Sequence, residues 1–144
     1  MWSKAFRKSL ISAIYEDLFS ESLDEFSHLE PSWLAIIEEY ETAENPLEVE
    51  KLVETFVFYK THKTDIIDTI QPFMTTWHKT FDLVKACLVC FCVEVMLSKT
   101  NNNELDPGVI GKYIRITQSF AGGENPSLVH AVTSKLLEFY NKPL

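Results

Sequence analysis

The run from Lys85 to Leu97, KACLVCFCVEVML, constrains the fold more than any other part of the chain. It is apolar at almost every position, so a helix formed by it has no polar face to turn towards water and must be enclosed by other elements. It is too short for a membrane span, which needs about 18 apolar residues, and it contains Glu94. The sequence therefore predicts the central helix of a single domain, covering residues 1–144, with no membrane partner.

All three cysteines of the chain, Cys87, Cys90 and Cys92, lie in this run. A structural zinc site usually takes two pairs of ligands, but here there is no second cysteine pair and the histidines are scattered. An activated redox thiol needs an exposed helix N-terminus, not the middle of an apolar helix. We therefore predict that the cysteines pack as small apolar core residues, with no metal site and no cofactor.

Glu94 is the exception in the run, because a buried carboxylate needs a partner or access to water. It faces outward, or it pairs within the protein with a hydroxyl such as that of Tyr15, or it lies exposed at a seam where it holds a basic partner. Helical periodicity alone does not choose between these interpretations.

The remaining chain shows apolar residues three and four apart and no alternating strand pattern, which is typical of helices. Capping residues precede proline at Asn45-Pro46, Asp106-Pro107 and Asn125-Pro126. Thr64 before Asp65 indicates a further helix start, and Pro72 indicates a kink or an end. These signals predict an all-α fold of about seven helices, at roughly 3–19, 32–42, from 46, 65–74, 79–98, 107–120 and from 126.

Charge is unevenly distributed along this chain of net charge −8. Lys4, Arg7 and Lys8 form a small basic cluster, and no lysine or arginine follows from Ser9 to Glu50, where there are twelve acidic residues. Such a composition argues against a general nucleic-acid binder, which needs clustered basic residues. It is compatible with a basic protein partner, or simply with a solvated acidic surface.

Motifs of catalysis are missing from the sequence. There is no glycine-rich dinucleotide loop, no P-loop, no H-E-x-x-H zinc motif and no G-x-S-x-G nucleophile motif. The Gly122-Gly123 pair is better interpreted as a turn than as a phosphate loop, because Glu124 beside it would repel an anion. The sequence therefore predicts a protein that is not an enzyme.

Four stretches, in order, are similar to a known family: RKSLISAIYEDLF (7–19), IIDTIQPFMTTWHKTFDLVKACLVCFCVEVML (66–97), VIGKYIRITQSF (109–120) and SLVHAVTSKLLEF (127–139). The matching positions are Arg7, Ala13, Ile14, Tyr15, Glu94, Val129, Val132, Lys135 and Leu136. On these residues the chain resembles NusB, a family of bacterial transcription antitermination factors. The resemblance covers most of the chain, with only about 25–60 lacking a specific match.

The resemblance implies an all-α fold of two small three-helix-bundle-like halves in a cytoplasmic protein. It implies binding to the small-subunit ribosomal protein NusE and to boxA-like single-stranded RNA. The complex would then join the RNA polymerase elongation complex and suppress termination, notably in ribosomal RNA operons. The implied RNA contacts are Lys4, Arg7, Lys8, Gln118, Phe120 and Ser127. The implied partner contacts are Tyr15, Glu16 and Glu94.

The chain also departs from the family pattern. The family's arginine run is reduced to Ser3, Lys4 and Ala5, its Asn-Glu pair is Gly111-Lys112, and an aromatic and an amide are missing from 128–131. These changes leave open an alternative function, a helical protein–protein adaptor that retains the fold with weak or no RNA binding. Family members are monomers or dimers, so a homodimer also remains open.

Overall fold

A computed structural model describes residues 2–21, 46–102, 105–106, 108–120, 123 and 125–142. These residues form five α-helices, which we number α1 to α5: Lys4–Glu21, Pro46–Ile70, Asp82–Thr100, Val109–Phe120 and Asn125–Asn141. Two short 3-10 turns, Gln71–Phe73 and Trp77–Lys79, lie between α2 and α3. No strand occurs in the described ranges. The predicted all-α class is confirmed.

The number of helices differs from the expected count of about seven, since five are present among the described residues. The predicted helices from Pro46 and over 65–74 are one continuous helix, α2, and the predicted start at Thr64 is wrong. The helix continues because one apolar stripe runs along its whole length, at Leu52, Phe56, Tyr59, Ile66 and Ile70, all of which are buried. A local capping signal does not outweigh this burial.

Other helix boundaries follow the sequence signals more closely. Helix α2 begins at Pro46 and ends at Ile70, two residues before Pro72, as expected for a residue that lacks an amide proton. Helix α4 begins two residues after Pro107, and the Asp106 carboxylate accepts the amide of Gly108 at 2.9 Å. The predicted helix over 32–42 lies outside the described residues, and the division into two three-helix halves stays a prediction.

Helix α3 occupies the centre of the fold, as the apolar run predicts. Its side chains at Val84 and from Ala86 to Val95 are buried, and α1, α2, α4 and α5 all pack against it. The buried apolar residues of the five helices form one hydrophobic cluster. Within the described ranges, none of the helices combines the length and the apolar character that crossing a bilayer requires.

A polar network joins α1 to α2 through the buried carboxylate of Asp17. It accepts hydrogen bonds from the Tyr59 hydroxyl at 2.6 Å and from the ammonium groups of Lys60 and Lys63, each at 2.7 Å. Burial would raise the pKa of this carboxyl, but the bonds from Lys60, Lys63 and Tyr59 outweigh burial and lower the pKa. The network therefore stabilises the fold in the ionised state of Asp17.

Replacing Asp17 with asparagine should cost about 3 kcal/mol at neutral pH, because the buried carboxylate that pairs with Lys60 and Lys63 is removed. The lowered pKa of Asp17 means that its contribution is present above the unfolded value of about 3.9 and is lost as pH falls through the folded value. The difference in the free energy of unfolding between wild type and Asp17→Asn, measured with urea, should be smaller at low pH than at pH 7. The exposed Asp68→Asn control on α2 should stay within about 0.5 kcal/mol of wild type. If Asp17→Asn and Asp68→Asn lowered the free energy of unfolding equally, the stabilising role assigned to the Asp17 network would be contradicted.

Candidate functional site

An ion pair inside the core joins the first and third helices. The Arg7 guanidinium on α1 donates from Nε to Glu94 Oε1 at 2.9 Å and from Nη2 to Oε2 at 2.7 Å. Arg7 is 1% exposed and Glu94 is 6% exposed. Burial would lower the pKa of Arg7, but the bond to Glu94 outweighs burial and raises this pKa, so the guanidinium stays charged. Both planar groups meet in a bidentate arrangement that fixes their orientation.

Helix α4 joins this pair through Tyr113. The Tyr113 hydroxyl donates to Glu94 Oε1 at 2.8 Å and lies 3.3 Å from the Cys90 thiol. The guanidinium carbon of Arg7 lies 5.7 Å from the centre of the Tyr113 ring. Burial raises the pKa of this tyrosine well above its usual value, so it remains a hydrogen-bond donor. Three helices are thus held together by one polar cluster.

The open question about Glu94 is answered by these contacts: it pairs within the protein, with Arg7 and Tyr113 and not with Tyr15. Arg7 and Glu94 are enclosed in the core and bonded to each other. The RNA contact that the resemblance implies for Arg7 and the partner contact that it implies for Glu94 stay predictions. The bidentate pair uses two of the five N–H donors of Arg7, and the 1% exposure of the side chain gives the other three little access to a phosphate. Sequence reasoning missed the pairing because the two residues are far apart in the chain and only the packing of α1 on α3 brings them together.

The predicted core packing of the cysteines is confirmed, since Cys87, Cys90 and Cys92 are fully buried. Burial raises the pKa of Cys87 and of Cys92 to about 12 and that of Cys90 well above its usual value. These thiols therefore stay protonated at neutral pH. In the part of the chain that the structure describes, no three side chains of His, Cys, Asp or Glu are grouped as a metal site.

A cationic cavity of about 290 Å³ lies where the start of α1 meets α4. Four basic side chains line it, together with Trp2 and Ile116: Lys4, Arg7, Lys112 and Arg115. Lys4 and Arg115 are exposed, and neither has an ion-pair partner among the described residues. The concentration of positive charge makes this cavity a candidate site for an anion.

A second cavity, of about 300 Å³, lies against Trp2 and is bordered by α2, α3 and the segment at 105–106. Three carboxylates line it, from Glu54, Glu94 and Asp106, together with one ammonium group, from Lys51. Its apolar lining comes from Trp2, Phe58, Leu97 and Leu105. We call it the acidic cavity. The three carboxylates outnumber the one ammonium group, and carboxylates are acceptors only, so the cavity favours groups that donate hydrogen bonds.

Two ion pairs lie in the wall between the cavities. In each pair the basic residue lines the cationic cavity and the acidic residue lines the acidic cavity. Arg7 lines the cationic cavity while its partner Glu94 lines the acidic cavity. Likewise, Lys112 lines the cationic cavity while its partner Asp106 lines the acidic cavity. The bond from Lys112 and the amide of Gly108 lower the pKa of Asp106, so this carboxyl is ionised at neutral pH. The wall between the cavities is therefore electrically polarised, with Trp2 exposed to both.

Other predicted contact residues lie outside these two cavities. Lys8, Gln118 and Ser127 are exposed, and the side chain of Phe120 is not among those described. Tyr15 and Glu16 are half-buried on α1, where the Tyr15 ring stacks on Phe19 with 6.1 Å between ring centres. Of the predicted set, Lys4 and Arg7 line the cationic cavity, and Glu94 pairs with Arg7 and lines the acidic cavity. The RNA and partner roles of the exposed residues stay predictions.

Sequence reasoning missed two cavity residues, Lys112 and Arg115. Their spacing of three places them on one face of a helix, a signal that could have been used. Their position opposite Lys4 depends on how α1 and α4 approach each other, which no local pattern contains.

No family model, curated protein or solved structure gives a significant match to this chain. The resemblance to the NusB family stays a prediction.

Arg7→Leu and Glu94→Leu should each destabilise the fold by about 3–5 kcal/mol, because each leaves a buried charge without its partner. The double variant should cost less than the sum by about 0.5–3 kcal/mol, since both charges are then removed. Chemical denaturation of the four proteins measures this coupling. The exposed Lys8→Ala control, one residue along α1, should change stability by less than about 0.5 kcal/mol. Strictly additive losses would show that the pair contributes no coupling.

Proposed function

We propose that the chain is a NusB-type transcription antitermination factor that binds boxA-like single-stranded RNA through the cationic cavity. In this proposal NusE is its protein partner, and the complex acts on the RNA polymerase elongation complex in the cytoplasm, notably at ribosomal RNA operons. The protein is a non-enzymatic binding domain built of two three-helix halves. The observation that supports RNA binding is the grouping of Lys4, Lys112 and Arg115 beside Trp2.

This grouping has the two components that single-stranded RNA binding needs. Lys4 and Arg115 are exposed and point positive charge at one cavity, where they can neutralise phosphates. Trp2 is half-buried and keeps part of its ring accessible, so a base can stack on it. Trp2 is itself held by Phe6, with 4.9 Å between ring centres. A supported aromatic ring next to cations is the arrangement used in sequence-tolerant strand binding.

The overall charge of −8 means that the attraction for RNA is local and not a property of the whole surface. A long-range field of this sign opposes the approach of RNA and favours the approach of a basic protein. The proposed order of assembly follows from these signs: the ribosomal protein binds first and supplies positive charge, and RNA then reaches the cationic cavity. Tyr15 and Glu16 on α1 are the proposed partner contacts.

A second candidate function is the helical adaptor with weak or no RNA binding. The burial of Arg7 against Glu94 favours it, because one of the three basic residues expected at the RNA is committed to the core. The adaptor binds NusE or another protein through its acidic surface, with no contribution from the cationic cavity. The two functions therefore differ in whether Lys4 and Arg115 matter for RNA.

A titration of fluorescent boxA-like RNA, with and without NusE and at several salt concentrations, separates these functions. We expect RNA binding that needs NusE and weakens with salt. The variant Lys4→Ala/Arg115→Ala should reduce the slope of log affinity against log salt by about 0.7 for each phosphate that the protein no longer neutralises. The α5 control, Lys135→Ala/Lys142→Ala, removes the same charge from two exposed sites, one on α5 and one directly after its last residue, and should leave the slope unchanged.

Two results would decide against RNA binding at this place. If NusE binds but RNA does not, the adaptor is the function. If RNA binds and the α5 control lowers the slope as much as the cavity variant does, the RNA contact lies outside the cationic cavity. Circular dichroism of each variant checks that the helices are intact.

A further inference from the structure

We infer that the cationic and acidic cavities form one bipartite site for a single ribonucleotide of the bound RNA, with the phosphate among Lys4, Lys112 and Arg115 and a guanine base in the acidic cavity. This inference rests on the proposed RNA binding and adds to it a base preference. It assigns a function to the acidic cavity, which the proposed phosphate contacts leave unused.

The first argument is that the cavities are adjacent and share a wall. Trp2 lines both of them, and the Arg7–Glu94 pair, whose atoms are 2.7–2.9 Å apart, spans the wall between them. A ligand that follows the exposed part of Trp2 passes from one cavity to the other. Phosphate and base are joined through one sugar in a nucleotide, so one residue of RNA can place a group in each cavity.

The second argument is that the polarity of the wall matches the polarity of a nucleotide. Its cationic side, at Lys112 and Arg7, faces the cavity assigned to the phosphate. Its anionic side, at Glu94 and Asp106, faces the cavity assigned to the base. A base edge rich in N–H groups is stabilised by such a surface, whereas a phosphate is repelled by it. The phosphate therefore occupies the cationic cavity alone.

The third argument concerns the lining of the acidic cavity. Trp2, Phe58 and Leu97 provide apolar surface for a flat ring. Thr55, Ser98 and Asn101 add neutral polar groups, and Lys51 is the one cation beside the three carboxylates. A volume of about 300 Å³ is sufficient for one base with room for water. Binding sites of this kind combine apolar walls with a few polar groups that fix the orientation of the ligand.

The carboxylate of Glu54 favours guanine over the other three bases. It is exposed at the acidic cavity and has no ion-pair partner among the described residues, so its carboxylate can accept two hydrogen bonds. Guanine presents N1–H and the N2 amino group side by side, which is the geometry that a carboxylate binds in bidentate fashion. Adenine, cytosine and uracil lack this adjacent pair of donors. A basic side chain also suits carboxylates, but it leaves the adjoining cationic cavity without a ligand.

The experiment measures the binding of short oligouridylate RNAs that carry guanosine, inosine, adenosine or uridine at one central position. The full chain is used, alone and with NusE, and affinity is read by fluorescence anisotropy. We expect guanosine to bind roughly tenfold more tightly than adenosine or uridine. Inosine differs from guanosine only by the absence of the N2 amino group, and it should lose most of this preference.

The variant Glu54→Gln should abolish the guanosine preference, while the loss of one negative charge acts equally on all four RNAs. Glu54 is exposed, so the substitution leaves the core intact. The control Glu138→Gln removes the same charge from an exposed position on α5 and should keep the full preference.

Equal affinity for the four RNAs overturns the base assignment and leaves RNA binding in place. A guanosine preference that persists in Glu54→Gln also overturns it, because the base is then recognised elsewhere. If Glu54→Gln instead weakens NusE binding without RNA and the four RNAs bind equally, the acidic cavity holds a basic side chain of the protein. If no RNA binds under any condition, the proposed function and this inference both fail.

Discussion

The bidentate contact between Arg7 and Glu94 is the interaction on which the arrangement of α1, α3 and α4 depends. Two ionic groups in the core lose their hydration, and only well-aligned mutual contacts compensate for that loss. Tyr113 completes the compensation by donating to the same carboxylate. A shift of α1 along α3 by one turn would separate the charges. The pair therefore favours the register in which the two charges meet.

The same ion pair determines the electrostatics at the surface. Its guanidinium contributes to the cationic cavity and its carboxylate contributes to the acidic cavity. The Lys112–Asp106 pair, at the start of α4, repeats this orientation. Each pair is close to neutral from a distance, but at the cavities their two ends act separately because the nearest charge dominates over a few ångströms. Opposite potentials can therefore exist on the two sides of one indole ring in a protein whose net charge is strongly negative.

The sequence was sufficient to predict some of these features, and the physical reason differs for each. The enclosure of α3 and its cysteines follows from the absence of any polar face in 85–97, which is local information. The continuity of α2 was missed because Thr64 and Asp65 resemble a helix start, whereas burial of Ile66 and Ile70 extends the existing helix. The partner of Glu94 and the position of Arg115 opposite Lys4 depend on helix packing, and no short pattern records that packing.

Stability alone does not explain an ion pair at this position. Well-packed apolar residues of similar size in place of a buried pair often leave a fold equally or more stable. Such a core would, however, remove Arg7 from the cationic cavity and Glu94 from the acidic cavity. The charges at the shared wall would then come from Lys112 and Asp106 alone. The pair thus has consequences for ligand binding that an apolar contact cannot reproduce, and these consequences connect the packing of the core to the chemistry of the proposed site.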